Sequence, residues 1–284
     1  MTLQKPALHQ RSREQWQAVL RSRNIRPTRS MGQNFLMEPD VVRSIVDVSG
    51  IGAGDRVVEI GPGLGILTRE LLDRDALVFA VELDRDLISF LERDFAGIDN
   101  LTLIERDARH VDLEPLIGMG DYHVVANLPY STGTAILRRL LELEHPPRTM
   151  TIMVQREVAE RMIATTPNLS LLAIATQIYA AVELSFIVPP DVFLPPPKVE
   201  SAVVSLTLRN VPLASPVEIA ALFRVATMAF QRKRKTIING LSQGLDLPKS
   251  SVEVMLDDAG IDSTLRPQAV SLDRWIALAK VQLS

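Results

Sequence analysis

The stretch Arg56-Val57-Val58-Glu59-Ile60-Gly61-Pro62-Gly63-Leu64-Gly65-Ile66-Leu67 decides the fold class. A short apolar run enters a glycine-rich turn, and a periodic apolar stretch follows: strand, tight turn, helix. Glycines at such a turn let the backbone reverse sharply and approach a ligand at the N-terminus of the helix. Outward from it, short apolar runs alternate with amphipathic stretches between Val41 and Leu208, the pattern of a parallel sheet flanked by helices. Strands are predicted at Arg56 to Ile60, Leu77 to Glu82, Leu101 to Glu105, His123 to Ala126, Met150 to Val154, Leu184 to Val188 and Ala202 to Leu208. Helices are predicted at Leu64 to Leu72, Arg85 to Phe95 and Ala135 to Leu143. The expectation is an α/β, Rossmann-like domain with a seven-stranded, mostly parallel sheet. Its last two strands are joined only by the proline-rich Pro189 to Pro197, which suits a hairpin with one strand antiparallel.

After Asn210 the strand signals cease. Val217 to Phe230, Thr236 to Leu241, Ser251 to Asp258 and Leu272 to Val281 read as helices, which sets a boundary near Val211 to Ser215. Three parts follow: a basic N-terminal segment over 1–30, a sheet domain over 31–210 and a small all-α domain over 211–284. With 284 residues, 46% hydrophobic and 23% charged, the chain is long enough for this arrangement. It has no cysteine, which excludes disulfides and thiolate metal sites and suits a reducing compartment, so the cytoplasm is expected. The sequence has neither a long apolar run nor a secretory leader, and no membrane association is expected. The four histidines, His9, His110, His123 and His145, lack ligand spacing, so no metal site is expected.

The net charge of −3 by itself disfavours nucleic acid, but its distribution does not. Arg11, Arg13, Arg21, Arg23, Arg26 and Arg29 crowd the N-terminus, which is expected to be a flexible arm. Arg232, Lys233, Arg234 and Lys235 form a second basic run, expected on a helix and preferred as an RNA phosphate contact over a merely solvated face. Trp16 and Trp275 fit packing on amphipathic helices better than base stacking.

Acidic residues recur where the predicted strands end. Glu82 closes the second strand, where a carboxylate can accept from both hydroxyls of a ribose. Asp107-Ala108 follows the third, where the acid can accept from an adenine amino group. Both features are shared by dinucleotide and methyl-donor sites. The glycine spacing separates them, because Ile66 stands where a dinucleotide fingerprint wants its third glycine. The fourth strand runs into Asn127-Leu128-Pro129-Tyr130, the most specific signal in the chain. An aromatic amine such as adenine N6 is a poor nucleophile, its lone pair being delocalised into the ring. Accepting both its hydrogens, at the Asn127 side-chain oxygen and a carbonyl of Leu128 or Pro129, drives the nitrogen towards a pyramidal, nucleophilic geometry. Tyr130 supplies a stacking face, worth ~1–3 kcal/mol in single-strand binders. No strong general base is needed, and catalysis rests on positioning and electrostatics.

With these motifs assembled, the sequence resembles the ribosomal RNA adenine dimethyltransferases, and among them the KsgA type that modifies small-subunit RNA. The resemblance runs from Pro27 onwards. It includes Gly32-Gln33-Asn34-Phe35-Leu36, Glu59 to Gly65, Val81 to Asp84, Asp107-Ala108, Asn127 to Tyr130, Gln155 to Val158, Phe193 to Val199 with Ser201 to Val203, Phe230 to Lys235, and Arg266-Pro267. It implies a class I methyltransferase fold, S-adenosylmethionine as cofactor, and dimethylation of two adjacent adenines in the 3′-terminal hairpin of 16S small-subunit rRNA on an immature 30S particle, by a monomer. Gln33, Asn34 and Leu36 would close over the methionine end of the cofactor. Gly61, Glu82 and Asp107 would hold its backbone side, ribose and adenine, with Glu59, Gly63, Leu83 and Ala108 beside them. Asn127 would face both cofactor and target, and Phe193 would lie opposite Tyr130, sandwiching the base. Two stretches depart from the family pattern: Ser131 to Ala135 replaces Asn-Ile-Ser-Thr-Pro, and Ala164 to Ser170 is shorter. The competing functions are an Erm-type large-subunit methyltransferase, a ribosome-assembly factor without activity and a dinucleotide-dependent oxidoreductase.

Overall fold

The computed structural model describes residues 12–23, 25 and 33–283. Arg11, Arg26, Arg29, Gly32 and His9, singled out above, lie outside them. Two compact units are present, Met1–Ala159 with Glu183–Leu208, and Glu160–Val182 with Arg209–Ser284.

The first unit opens with α1 (Arg13–Ser22), where the Ser12 side chain and Gln15 form a reciprocal cap. Over α1 the structure corrects the expectation of a flexible arm. Trp16 and Leu20 are buried in the sheet unit's core, and the Arg13 guanidinium donates to the carbonyls of Asp191 (2.6 Å) and Phe193 (2.8 Å). The two-residue strand β1 (Phe35–Leu36) and helix α2 (Pro39–Ser49) follow; α2 has a proline in its first turn and ends on left-handed Gly50. The strand–helix alternation then runs β2 (Arg56–Ile60), α3 (Ile66–Leu72), β3 (Leu77–Glu82), α4 (Arg85–Asp94), β4 (Leu101–Glu105), α5 (Glu114–Ile117), β5 (His123–Asn127), α6 (Gly133–Leu141), β6 (Thr149–Gln155) and α7 (Arg156–Met162). After α8 (Leu171–Gln177) come β7 (Ala180–Val188), β8 (Phe193–Leu194) and β9 (Ser201–Leu208).

The main sheet has the order β4-β3-β2-β5-β6-β9-β7. Strands β2 to β6 pair in parallel, so their carboxyl ends share one edge, while β9 runs antiparallel against β6. β2 is buried almost throughout, Glu59 included, because it is covered on both faces, as central parallel strands are. β1 and β8 form a separate antiparallel ribbon, with Phe35 opposite Leu194 and Leu36 opposite Phe193.

The second unit adds α9 (Pro216–Phe230), α10 (Ile237–Leu245), α11 (Lys249–Asp258) and α12 (Leu272–Val281) around a core that includes Leu222, Val225, Leu241, Leu256 and Trp275. The Phe230 and Trp275 rings meet at 5.9 Å. Residues 160–182 belong to this unit, a return along the chain that a single cut near 211 does not describe. α8 contributes Ala173 and Ile174 to the helical core, and Gln177 donates to the carbonyls of Met162 (2.9 Å) and Ala164 (3.0 Å). Among the described residues, no helix is long and apolar enough to cross a membrane.

Candidate active site

A cavity of about 330 Å³ opens along the carboxyl ends of β2, β3, β4 and β5. β3 and β4 continue the sheet to one side of β2, and β5 lies on the other, which makes this the crevice where open α/β sheets bind ligands. Its wall includes Gln33, Asn34, Leu36, Glu59, Gly61, Gly63, Glu82, Leu83, Asp107, Ala108, Asn127, Leu128, Pro129 and Tyr130. Residues spread over a hundred positions of sequence therefore converge on one space.

The acidic groups sit in three different environments. Glu82 is nearly buried and its carboxylate is held by backbone amides, Oε1 accepting from Leu83 (2.8 Å) and Asp84 (3.0 Å), and Oε2 from Gly63 (3.3 Å). It therefore ties the glycine turn to the end of β3. Burial raises its pKa, and the three amides oppose that rise. Glu59 is more deeply placed, accepts from the Thr68 hydroxyl at 2.7 Å, and is pushed up to about 8 by burial, with the neighbouring Glu82 adding to the shift. Asp107 is gripped by Arg109, whose Nε lies 3.0 Å from both carboxylate oxygens and whose backbone amide donates at 2.8 Å; these contacts hold its pKa below the usual range. Leu83, half exposed beside it, offers an apolar face of the kind a purine ring covers.

The tetrapeptide forms the far wall. Asn127 ends β5, and its Nδ2 donates to the Asn34 carbonyl at 3.3 Å, which fixes the side-chain amide and leaves Oδ1 as an acceptor. The Pro129 carbonyl already accepts from Thr132 (3.1 Å) and Gly133 (2.7 Å) as α6 begins. Of the two carbonyls open in the sequence reading, Leu128 is therefore the better placed to accept from a ligand. The Tyr130 hydroxyl is hydrogen-bonded to Ser201, and burial raises its pKa, keeping the phenol neutral.

Two expectations are corrected. Phe193 does not line the cavity: its side chain is fully buried in the apolar core that also holds Trp16, Phe35 and Val188, which leaves none of the ring's surface for a ligand. The basic run is no helix face either. Arg232 to Lys235 form the turn between α9 and α10, with Lys233, Arg234 and Lys235 exposed. Sequence reading also missed partners of the predicted residues. Arg109 was legible in principle, two residues beyond Asp107 in a turn, and Thr68 lies on the inward face of the helix after Glu59. Ser201 stood in a stretch that carries the family resemblance, but nothing pointed to Tyr130 as its partner, 71 positions away.

This sheet order, with its glycine turn and acids at successive strand ends, defines a Rossmann-like class I methyltransferase. The crystal structure of the 23S rRNA methyltransferase ErmE has the same fold, at a TM-score of 0.70 and 27% identity over 88% of this chain and all of that one. A dimethyladenosine transferase from Plasmodium falciparum also superposes at 0.70, with 25% identity over 85% of this chain and 94% of that one. The ribosomal RNA small subunit methyltransferase A of Dehalococcoides mccartyi is 37% identical over 90% of this chain and 89% of its own length. The family model for ribosomal RNA adenine dimethylase matches residues 24–282, and the chain belongs to that family as an rRNA adenine dimethyltransferase.

Proposed function

We propose that this protein uses S-adenosylmethionine to dimethylate N6 of two adjacent adenines in the 3′-terminal hairpin of 16S small-subunit rRNA, acting on an immature 30S particle during small-subunit biogenesis in the cytoplasm. The observation that carries the reading is Asn127, whose side-chain amide donates to the Asn34 carbonyl, so that its oxygen is left to accept, in the wall of a cavity that three acids also line.

The cavity fits the cofactor. Its volume of about 330 Å³ lies at the lower end of small-ligand sites, which run from about 300 to 1,000 Å³. Glu82 and Asp107 give it the acceptor character that a sulfonium and an ammonium group require, and Glu59 adds to it on losing its proton. Bound there, the cofactor supplies a methyl group on positively charged sulfur. Glu82 accepts from the ribose hydroxyls, Asp107 and Leu83 receive the adenine, and Gln33, Asn34 and Leu36 cover the methionine end. Opposite them, the Asn127 oxygen and the Leu128 carbonyl each accept one hydrogen of the target amine, leaving its lone pair directed along the transfer line. The Tyr130 ring stacks on the extruded base. The basic turn at Arg232 to Lys235 in the 211–284 segment contacts phosphate.

The test is transfer of labelled methyl from S-adenosylmethionine to unmethylated small subunits, with the product mapped to adenine N6. Two labels per adenine in the small-subunit hairpin are expected. Labelling of large-subunit RNA instead, or binding without transfer, would overturn the assignment.

A further inference from the structure

We propose that Ser201 is a positioning residue that fixes the Tyr130 ring as the stacking wall for the target base. This rests on the reading of Tyr130 as that wall.

Ser201 opens β9 and is paired in register with Gln155, the last residue of β6, so its backbone is fixed by an antiparallel ladder. It is fully buried and absent from the cavity wall. Its hydroxyl is hydrogen-bonded to the Tyr130 hydroxyl across 71 positions of sequence. Tyr130 itself lies in the short connection between β5 and α6 and lines the cavity. The phenol thus reaches past the cavity to β9, and what the ligand meets is the ring. A tyrosine side chain has two rotatable angles below its hydroxyl, and anchoring the far end to a rigid strand holds both. Two consequences follow: the Tyr130 hydroxyl takes no part in proton transfer, and losing either hydroxyl frees the ring to turn out of the stacking plane.

The test compares Ser201→Ala, Tyr130→Phe, their double variant and Tyr130→Ala, on an RNA hairpin carrying 2-aminopurine at the target position and on the natural substrate. Ser201→Ala and Tyr130→Phe should each lower kcat/KM about three- to tenfold, the range of one modest hydrogen bond. Each should also weaken the quenching of 2-aminopurine emission that stacking produces. The double variant should be no worse than either single, since all three lack the same bond. Circular dichroism of each variant establishes that the fold is retained. If the double variant shows the product of the single losses, or both singles match the parent while Tyr130→Ala is defective, the anchor is refuted and the stacking wall survives. If Tyr130→Ala also quenches and transfers like the parent, both readings fail.

Discussion

Gly61 and Gly65 stand in one glycine turn, yet alanine at the two positions should do different damage. Both have positive φ, +69° at Gly61 and +75° at Gly65, so either substitution carries a left-handed penalty of about 1–2 kcal/mol. The space around them differs. A Cβ on Gly65 would lie 2.5 Å from Cε2 of Phe95 and 2.8 Å from Cδ2 of Leu91. Both side chains are buried, and the Phe95 ring carries the Arg69 guanidinium 4.7 Å above it, so neither can move aside freely. Overpacking of this kind costs about 1–3 kcal/mol. The total of roughly 2–5 kcal/mol should lower Tm by about 5–15 °C. On Gly61 the nearest atom to a Cβ is the Asn127 carbonyl oxygen at 3.8 Å, and the residue lines the cavity. Gly61→Ala should therefore lose only about 2–6 °C while weakening S-adenosylhomocysteine at least about tenfold by filling ligand space. Thermal unfolding and titration calorimetry on the two variants measure both quantities. A Tm for Gly65→Ala within about 1 °C of the parent, or a larger loss of ligand affinity there than at Gly61, would refute the reasoning.

Three further outcomes are expected. Asn127→Ala should lower kcat by about a hundred- to a thousandfold, the loss seen when one oriented catalytic dipole is removed, with RNA affinity in gel-shift assays nearly unchanged. Retained activity would remove Asn127 from the chemistry. Glu59 has a folded pKa near 8, above its unfolded value of 4.5, so its contribution to stability is full below about pH 4.5 and lost as pH rises through 8. Beside a cationic cofactor the carboxylate is favoured, so affinity should rise over the same window with release of a proton. Calorimetry in buffers of different ionisation enthalpy measures that proton, Glu59→Gln should abolish it, and proton uptake would contradict the argument. Finally, alanines at Lys233, Arg234 and Lys235 should weaken RNA binding and flatten its dependence on log salt by about 0.7–0.9 for each phosphate no longer neutralised, an unchanged slope excluding the turn from the interface.

What the sequence by itself determined is local. Each central strand of the sheet is a short apolar run bounded by turn residues, so β2, β3 and β4 were legible to the residue, and the acids at strand ends were legible because a strand's end is a local event. Those ends converge because parallel strands of one sheet share an edge, which is why the residues of the cavity wall could be picked out in sequence. Only the tertiary structure decided the rest. The family resemblance makes Phe193 an aromatic partner for Tyr130, but its ring is enclosed by the apolar core with Trp16 and Val188. Arg13 reads as part of a loose basic arm, but backbone carbonyls 178 and 180 positions away bind it. Ser201 belongs to a stretch that marks the family, but its partner Tyr130 emerges only when β9 sets the two side by side. Interactions of this range depend on which strand lies beside which, a choice made by the burial of the whole core and absent from any window of sequence.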